Sequence, residues 1–313
     1  MKSRTWFGRI GLALLATLGL LLALAVPVAY AWEAPASEYR SQYLTRVESR
    51  FAETDLARFH YTVQGSGSPV VLIAGGALWG YSWRDVVPEL AREHTVYAVD
   101  LPSQGYTELH RDDFAYDLPA MADALAAFLD AVGLERTALA GHSWGGAWSL
   151  YFAEQHPERV TRLALLDAPG LDAEKAPITP VFRTPLLGEL ATKLTNRAFF
   201  ADSVRGTFAH RELVTEEMID EGYAPFSRPA NRDGFLALWR NLDYRRTDAG
   251  LARVTAPTLV LWGGADSWLP PAQAGRLAAR IPGATATVLP GCGHTVHEDC
   301  PAATIPLLRD FLR

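Results

Sequence analysis

Residues 141–146 read "GHSWGG", with the apolar run "TALA" before them and "AWSLYFAE" after. Glycine costs backbone entropy, so its use on both sides of Ser143 needs a geometric reason. Gly141-His142-Ser143-Trp144-Gly145 fits G-x-S-x-G, a turn that takes a strand sharply into a helix. The glycines remove Cβ atoms that would clash, and the serine is left exposed at the helix N-terminus. The helix dipole and the Trp144 backbone N–H favour negative charge beside that hydroxyl. The chemistry on offer is nucleophilic attack on a carbonyl. Many such pentapeptides are surface turns with a serine cap; the strand–turn–helix context is what favours a nucleophile here.

A serine hydroxyl is a weak nucleophile without a base, and the base needs an orienting carboxylate. "LVLWGGADSWLP" places Asp266 in the loop after a buried strand, and "LPGCGHTVHEDCP" places His294 in the loop after the last strand. The chain has eight histidines. His142 belongs to the turn itself, and its side chain is expected to face away from the serine. His60, His94, His110, His156 and His210 precede Asp266, on strands, helix ends or a central insertion. His297 is the rival to His294; Gly291 and Gly293 favour His294 by letting its loop fold back. Asp167 also ends a strand and is the alternative acid. Asp100 reads as a turn residue beside Pro102.

The elements that must hold these groups alternate. Residues 59–74 read as a strand, a Gly/Ser turn at 65–68 and a buried strand at 70–74. Residues 82–93 read as a helix with Ser82 as N-cap, and "TVYAVDLP" as a strand. Leu118, Met121, Leu125, Phe128, Leu129 and Val132 recur at helical spacing before Gly133. Strands then flank the helix that follows Ser143. Strands alternating with helices predict a parallel sheet covered on both faces. The alternation stops after Asp167. Residues 169–250 hold no strand-like run and offer helices at 186–197, 216–221 and 232–242, so they read as a helical lid. Strand, helix, strand and a final helix near 302–312 resume in residues 251–313. The first part of the core is expected at 59–168, preceded by a linker and leading helix at 33–58 with Tyr43, Val47 and Phe51 at helical spacing.

From about residue 59 onward the chain resembles the α/β-hydrolase fold, in the group with cap domains. "GSGSPVVLIAGG", "AVDLPSQGYT", "GHSWGG", "LVLWGGADSW" and "GCGHTVHE" carry the resemblance. It implies a mostly parallel central sheet flanked by helices, with an inserted helical lid. It further implies Ser143 as nucleophile, Asp266 as acid, His294 as base, and the backbone N–H groups of Gly76 and Trp144 as oxyanion donors. Two positions depart from the pattern. The group's usual His-Gly after the third strand is Ala74-Gly75, so the oxyanion hole needs different support. The turn is similar to the "GHDWGG" of epoxide hydrolases, but serine stands where their attacking carboxylate would be. Epoxide and haloalkane chemistry are set aside on that ground. The implied activity is cofactor-free hydrolysis of a small to medium carboxylic ester through an acyl-enzyme. The alternatives are carbon–carbon hydrolysis of a diketone-like compound, or a ligand-binding protein of the same fold without turnover.

Composition narrows the partners. The 313 residues are 49% hydrophobic and 20% charged, with net charge −6. The basic residues form no stripe, which argues against a nucleic-acid partner. Trp79, Trp83, Trp144, Trp239 and Trp268 are candidates to line an apolar pocket or to fill the core; Trp79, Trp239 and Trp268 are the chosen pocket residues. Phe235, Leu238 and Trp239 share part of one helical face, which meets either the pocket or the sheet. Cys292 and Cys300 flank His294 and are either a disulfide or two buried thiols. With no second Cys/His cluster, no zinc or other metal site is expected.

The N-terminus stands apart. Lys2, Arg4 and Arg9 precede residues 10–32, which carry no charge. Residues 10–28 would span roughly 28 Å as a helix, about the thickness of a bilayer core. Two readings compete for residues 1–32: an anchor crossing the membrane through residues 10–31, or a signal peptide cleaved near Ala31 after "AYA". Either places the catalytic domain outside the cytoplasm, because the positive residues precede the apolar run.

Overall fold

In the computed structural model, residues 35–171 and 179–313 are described, with scattered positions between 11 and 32. A nine-stranded sheet forms the centre: β1 (Ser49–Glu53), β2 (Ala57–Gly65), β3 (Ser68–Ile73), β4 (His94–Val99), β5 (Glu108–Leu109), β6 (Thr137–His142), β7 (Val160–Leu166), β8 (Thr258–Gly263) and β9 (Thr285–Leu289). Their spatial order is β1-β2-β4-β3-β6-β7-β8-β9, with β5 paired to β2. β4, β3, β6, β7, β8 and β9 run parallel, whereas β1 pairs with β2 and β2 with β4 antiparallel. β6 is buried along its whole length, as a parallel strand covered on both faces must be.

The helices Leu118–Ala131 and Ser143–Gln155 belong to one core layer with Phe128, Leu129, Trp148 and Phe152. The opposite face of the sheet buries Trp83, Leu90, Val296 and Leu308. Between β7 and β8 the described chain is helical: Thr179–Arg183, Leu187–Leu194, Arg197–Arg205, Glu216–Phe226, Pro229–Asn241 and Arg245–Asp248. Helix Arg197–Arg205 begins at Asn196, whose side chain caps Phe199 N–H at 3.0 Å. The helix expected at 186–197 forms at Leu187–Leu194, and the capped turn at Asn196 starts a separate helix after it.

The leading helix expected in 33–58 does not form. Tyr43–Thr45 make one 3₁₀ turn, and Phe51 lies in β1 with Ala52 facing the core. Pairing with β2 satisfies the backbone of Ser49–Glu53, and Arg58 covers the half-exposed Phe51 ring at 3.9 Å. The sheet therefore begins ahead of residue 59. Ser82 does not cap a helix; it lies inside the 3₁₀ turn Gly80–Trp83, and the α-helix there is only Val87–Leu90.

Half of the apolar segment at residues 10–31 lies outside the described residues. Among those described, no helix is long and apolar enough to cross a membrane. Residues 37–43 are docked on the helix Glu216–Phe226. Ser37 N–H donates to Ser227 Oγ at 2.7 Å, and the Gln42 and Tyr43 N–H groups donate to Glu221 Oε1 at 2.7 and 2.9 Å.

One buried carboxylate gives a pH test. Glu154, near the end of helix Ser143–Gln155, is 2% exposed, with Arg253 no nearer than 3.9 Å. Burial pushes its carboxyl up to about 8. The folded value lies above the unfolded one. Its contribution to stability is therefore complete at acid pH and is lost as pH rises from about 4.5 to about 8. Glu154→Gln should raise stability at pH 8 by on the order of a few kcal/mol, read as a higher Tm, and bring no gain at pH 4.5. Equal Tm differences at both pH values, read by calorimetry, would refute this.

Candidate active site

Ser143 sits at the turn from β6 into helix Ser143–Gln155 with φ +49°. A non-glycine residue held there stores strain of order 1–3 kcal/mol, which the surroundings must offset. They do so by close packing. A Cβ on Gly141 would lie 2.4 Å from Gly145 O, and one on Gly145 would lie 2.4 Å from the carbonyls of Ile73 and Ala74. Both contacts are with backbone that cannot swing aside, so glycine is required at each.

Three side chains then form one line. His294 Nε2 lies 3.0 Å from Ser143 Oγ, and His294 Nδ1 lies 2.8 Å from Asp266 Oδ2. Asp266 is fixed by its other oxygen, which accepts from the N–H groups of Trp268 at 2.7 Å and Leu269 at 2.9 Å. The Trp268 ring stacks beside the His294 ring, centroids 6.1 Å apart. With Nδ1–H donated to Asp266, Nε2 is left as the acceptor facing the serine hydroxyl, the arrangement general-base chemistry needs.

The other candidates stand outside this line of hydrogen bonds. Asp167 is fully buried behind the site and accepts from Gly263 N–H at 2.7 Å and Val296 N–H at 3.3 Å. Burial, and then the charge of Asp266, hold its carboxyl well above the usual range. It ties β7 to β8 and to the segment after His294. His297 stacks on Trp83 at 4.2 Å, its ring nitrogens have no hydrogen-bond partner among the described residues, and burial pushes it down to about 3. His142 is buried and donates through Nε2 to the His294 carbonyl at 2.9 Å, so the turn histidine holds the His294 loop. Asp100 caps its turn, accepting from Gly80 N–H at 2.9 Å and Tyr106 N–H at 3.1 Å.

A cavity of about 360 Å³ opens over Ser143. Gly76, Trp144, Trp239 and Trp268 all line it, together with Phe182, Phe199, Phe208, Phe226 and Phe235. Trp144 N–H lies in the first helical turn, where backbone donors have no intrahelical acceptor. Trp79 does not line this cavity. It sits behind, 1% exposed, donating to Glu221 O at 2.8 Å and packed against Tyr43, Tyr81 and Tyr106. The indole N–H found an internal partner and the ring joined a buried aromatic cluster. Of the helical face Phe235, Leu238, Trp239, the first and last reach the cavity, whereas Leu238 is wholly buried in the sheet-side core.

Two features were not singled out from sequence. Asp299 accepts from Gly293 N–H at 2.6 Å and His210 N–H at 2.9 Å, joining the His294 loop to the helical insertion. Its only signal is a carboxylate five residues after His294 in a glycine-rich loop. Glu298 lines the cavity wall and is paired with Arg84. The cysteine alternatives resolve to a disulfide: Cys292 and Cys300 are bonded, with Cα atoms 5.9 Å apart. The loop closed contains His294. Removing a bridge of that span costs about 2.5 kcal/mol in the chain-entropy account. Cys292→Ser/Cys300→Ser should lower Tm by about 5 °C. A Tm unchanged by the substitution or by reductant would show that the loop is held without it.

The comparisons with known proteins agree with this architecture. A model of the alpha/beta hydrolase fold family matches residues 68–301. The chain is 31% identical over 268 residues to 2-hydroxy-6-oxo-2,4-heptadienoate hydrolase of Pseudomonas putida, covering 79% of this chain and 90% of that protein. Among solved structures it is similar to Cfl2 of Burkholderia cenocepacia, with TM-score 0.74, 30% identity and coverage of 85% and 95%. It shares its fold with a membrane phospholipase A, with TM-score 0.72, 23% identity and coverage of 100% and 98%. The chain thus belongs to the α/β-hydrolase fold family and is a serine hydrolase.

Proposed function

We propose that the chain hydrolyses uncharged, apolar carboxylic esters through an acyl-enzyme on Ser143. The observation that carries this is the wall of the cavity. Among its described lining residues none is Arg or Lys, and the carboxyl it does present, Glu298, is already paired with Arg84. An anionic substrate would leave water for a site whose described wall offers no Arg or Lys to receive it, at a cost of several kcal/mol. An acyl chain would instead gain about 0.8 kcal/mol per buried methylene.

In this reading Ser143 Oγ attacks the ester carbonyl as its proton passes to His294 Nε2. The N–H groups of Gly76 and Trp144 hold the oxyanion. The imidazolium, stabilised by Asp266, gives its proton to the departing alkoxide. Water then attacks the acyl-enzyme, His294 again taking and returning the proton, and the acid leaves.

The second reading is carbon–carbon hydrolysis, favoured by the named activity of the Pseudomonas relative. The test is a panel of p-nitrophenyl esters of graded acyl length beside a 2-hydroxy-6-oxo-dienoate, on wild type and Ser143→Ala. The expected result is ester turnover at least ~100-fold above the dienoate in kcat/KM, abolished in Ser143→Ala. Preference for the dienoate would hand the site to the second reading. Folded wild type that neither turns over nor takes up a fluorophosphonate would be a binding protein.

We also propose that residues 10–31 tether this domain to a membrane with residues after about 33 outside the cytoplasm; a cleaved signal is the alternative. The uncharged run and the positive residues before it support the orientation. Full-length protein should stay with membranes after a carbonate wash, and protein lacking residues 1–32 should be soluble and active. A mature N-terminus at Trp32 would replace the anchor by a cleaved signal. Protection of the domain from protease in spheroplasts would overturn the orientation.

A further inference from the structure

The oxyanion loop of this chain lacks the histidine that the family places at position 74, and another side chain occupies the supporting role. We infer that Gln104 is a positioning residue that aims the Gly76 N–H at the substrate oxygen. Gln104 is 1% exposed and lies in the turn after β4. Its Nε2 donates to the carbonyls of Ala74 at 2.8 Å and Gly75 at 2.9 Å, and its Oε1 accepts from Leu101 N–H at 3.1 Å. The orientation of the amide follows from these partners. Reversed, it would set an oxygen against two carbonyls and an NH₂ against an N–H.

The Gly75 carbonyl and the Gly76 N–H belong to one peptide unit. That unit is planar and trans, so its C=O and N–H point in opposite directions. Fixing the carbonyl fixes the N–H. The Gly75 carbonyl receives two donors, Gln104 Nε2 and Leu78 N–H at 3.2 Å. The second of these is local to the loop and turns with it. Gln104 comes from a different connection, so it references the peptide plane to the sheet. The plane has little else to stiffen it, because two glycines in succession impose no side-chain restraint on their torsions. Glycine is nevertheless required at 76: a Cβ there would lie 2.5 Å from the Trp144 ring. The other carbonyl held by Gln104, that of Ala74, is one of the two against which Gly145 packs. A single amide therefore joins both walls of the oxyanion hole.

This inference rests on the acyl-enzyme reading of Ser143. Its test uses Gln104→Met, which keeps the length and loses the donors, with Gln104→Leu as the second variant. Active sites are counted by endpoint fluorophosphonate labelling. For each protein kcat and KM are measured on one p-nitrophenyl ester, with inhibition by a trifluoromethyl ketone of the same chain and by the corresponding methyl ketone. The trifluoromethyl ketone adds Ser143 Oγ at its carbonyl carbon and becomes a tetrahedral oxyanion; the methyl ketone stays trigonal. Loss of a whole oxyanion donor costs about 10²–10³-fold, and misaiming one should cost about 10–100-fold. The expected result is a kcat per active site reduced by that factor, KM within about threefold, trifluoromethyl ketone affinity reduced in parallel with kcat, and methyl ketone affinity unchanged. Fewer labelled sites with wild-type kcat per site would overturn the inference and leave Gln104 a stabilising residue only. So would parallel losses for both ketones. An active Ser143→Ala would show that the underlying reading had failed, whereas a dead Ser143→Ala with wild-type Gln104→Met would sink the inference alone.

Discussion

Asp266→Asn should lower kcat by at least ~10³-fold while Asp167→Asn stays within about tenfold of wild type. Both aspartates end or follow a strand beside His294, and only the side-chain geometry separates them. Asp266 uses both oxygens: Oδ1 takes the Trp268 and Leu269 N–H groups and Oδ2 takes His294 Nδ1–H. An asparagine keeps one acceptor. With its oxygen held by the two backbone donors, its NH₂ faces Nδ1 and drives the proton to Nε2. Nε2 then cannot accept from Ser143, and the base is lost although the packing survives. Asp167 differs because burial holds its carboxyl well above the usual range and its oxygens accept from the Gly263 and Val296 N–H groups rather than from the imidazole. Asparagine keeps an oxygen for the shorter of these bonds, from Gly263 N–H at 2.7 Å, and gives up only the longer one from Val296 N–H at 3.3 Å. Steady-state kinetics per titrated active site decide the matter. A dead Asp167→Asn beside a near-normal Asp266→Asn would reverse the assignment.

The residues of this line were legible in the sequence because each sits where the backbone has few choices. Ser143 is bracketed by glycines that pack on backbone carbonyls, and Asp266 and His294 follow buried strands of the parallel sheet. What stayed illegible was set by partners distant in the chain. Trp79 and Trp239 look alike as isolated indoles; one found Glu221 O and went behind the cavity, the other found Phe182 and Trp144 and lines it. Val47 and Phe51 have helical spacing, yet pairing with β2 placed Phe51 in a strand. Gln104 lies within the family-like stretch "AVDLPSQGYT" with nothing there to mark its role, and Asp299 carries no motif. Each acts through backbone groups of a segment brought near only by the fold, so a spacing pattern does not reveal them.

Trp239→Ala should shift the preferred acyl length upward by about 10–100-fold in the long-to-short ratio of kcat/KM. Trp239 stacks on Phe182 at 5.1 Å with planes 14° apart, and meets Trp144 edge-on at 5.1 Å. It thus closes the cavity between the helical insertion and the turn that carries Ser143. Removing the indole lengthens the apolar space beside the nucleophile, and each added methylene that fits recovers about 0.8 kcal/mol. Its immediate neighbour supplies the comparison. Leu238 is 0% exposed and packs on the sheet side, outside the cavity lining. Leu238→Ala should cost about 2–5 kcal/mol of stability through the void it leaves, and keep the wild-type order of esters. The two variants therefore separate the cavity from the core along a single helix, Pro229–Asn241. The measurements are an acyl-length series from acetate to decanoate and a thermal melt on each protein. If Trp239→Ala loses stability as Leu238→Ala does and keeps the wild-type ester order, the indole is core and chain length is set elsewhere in the cavity wall.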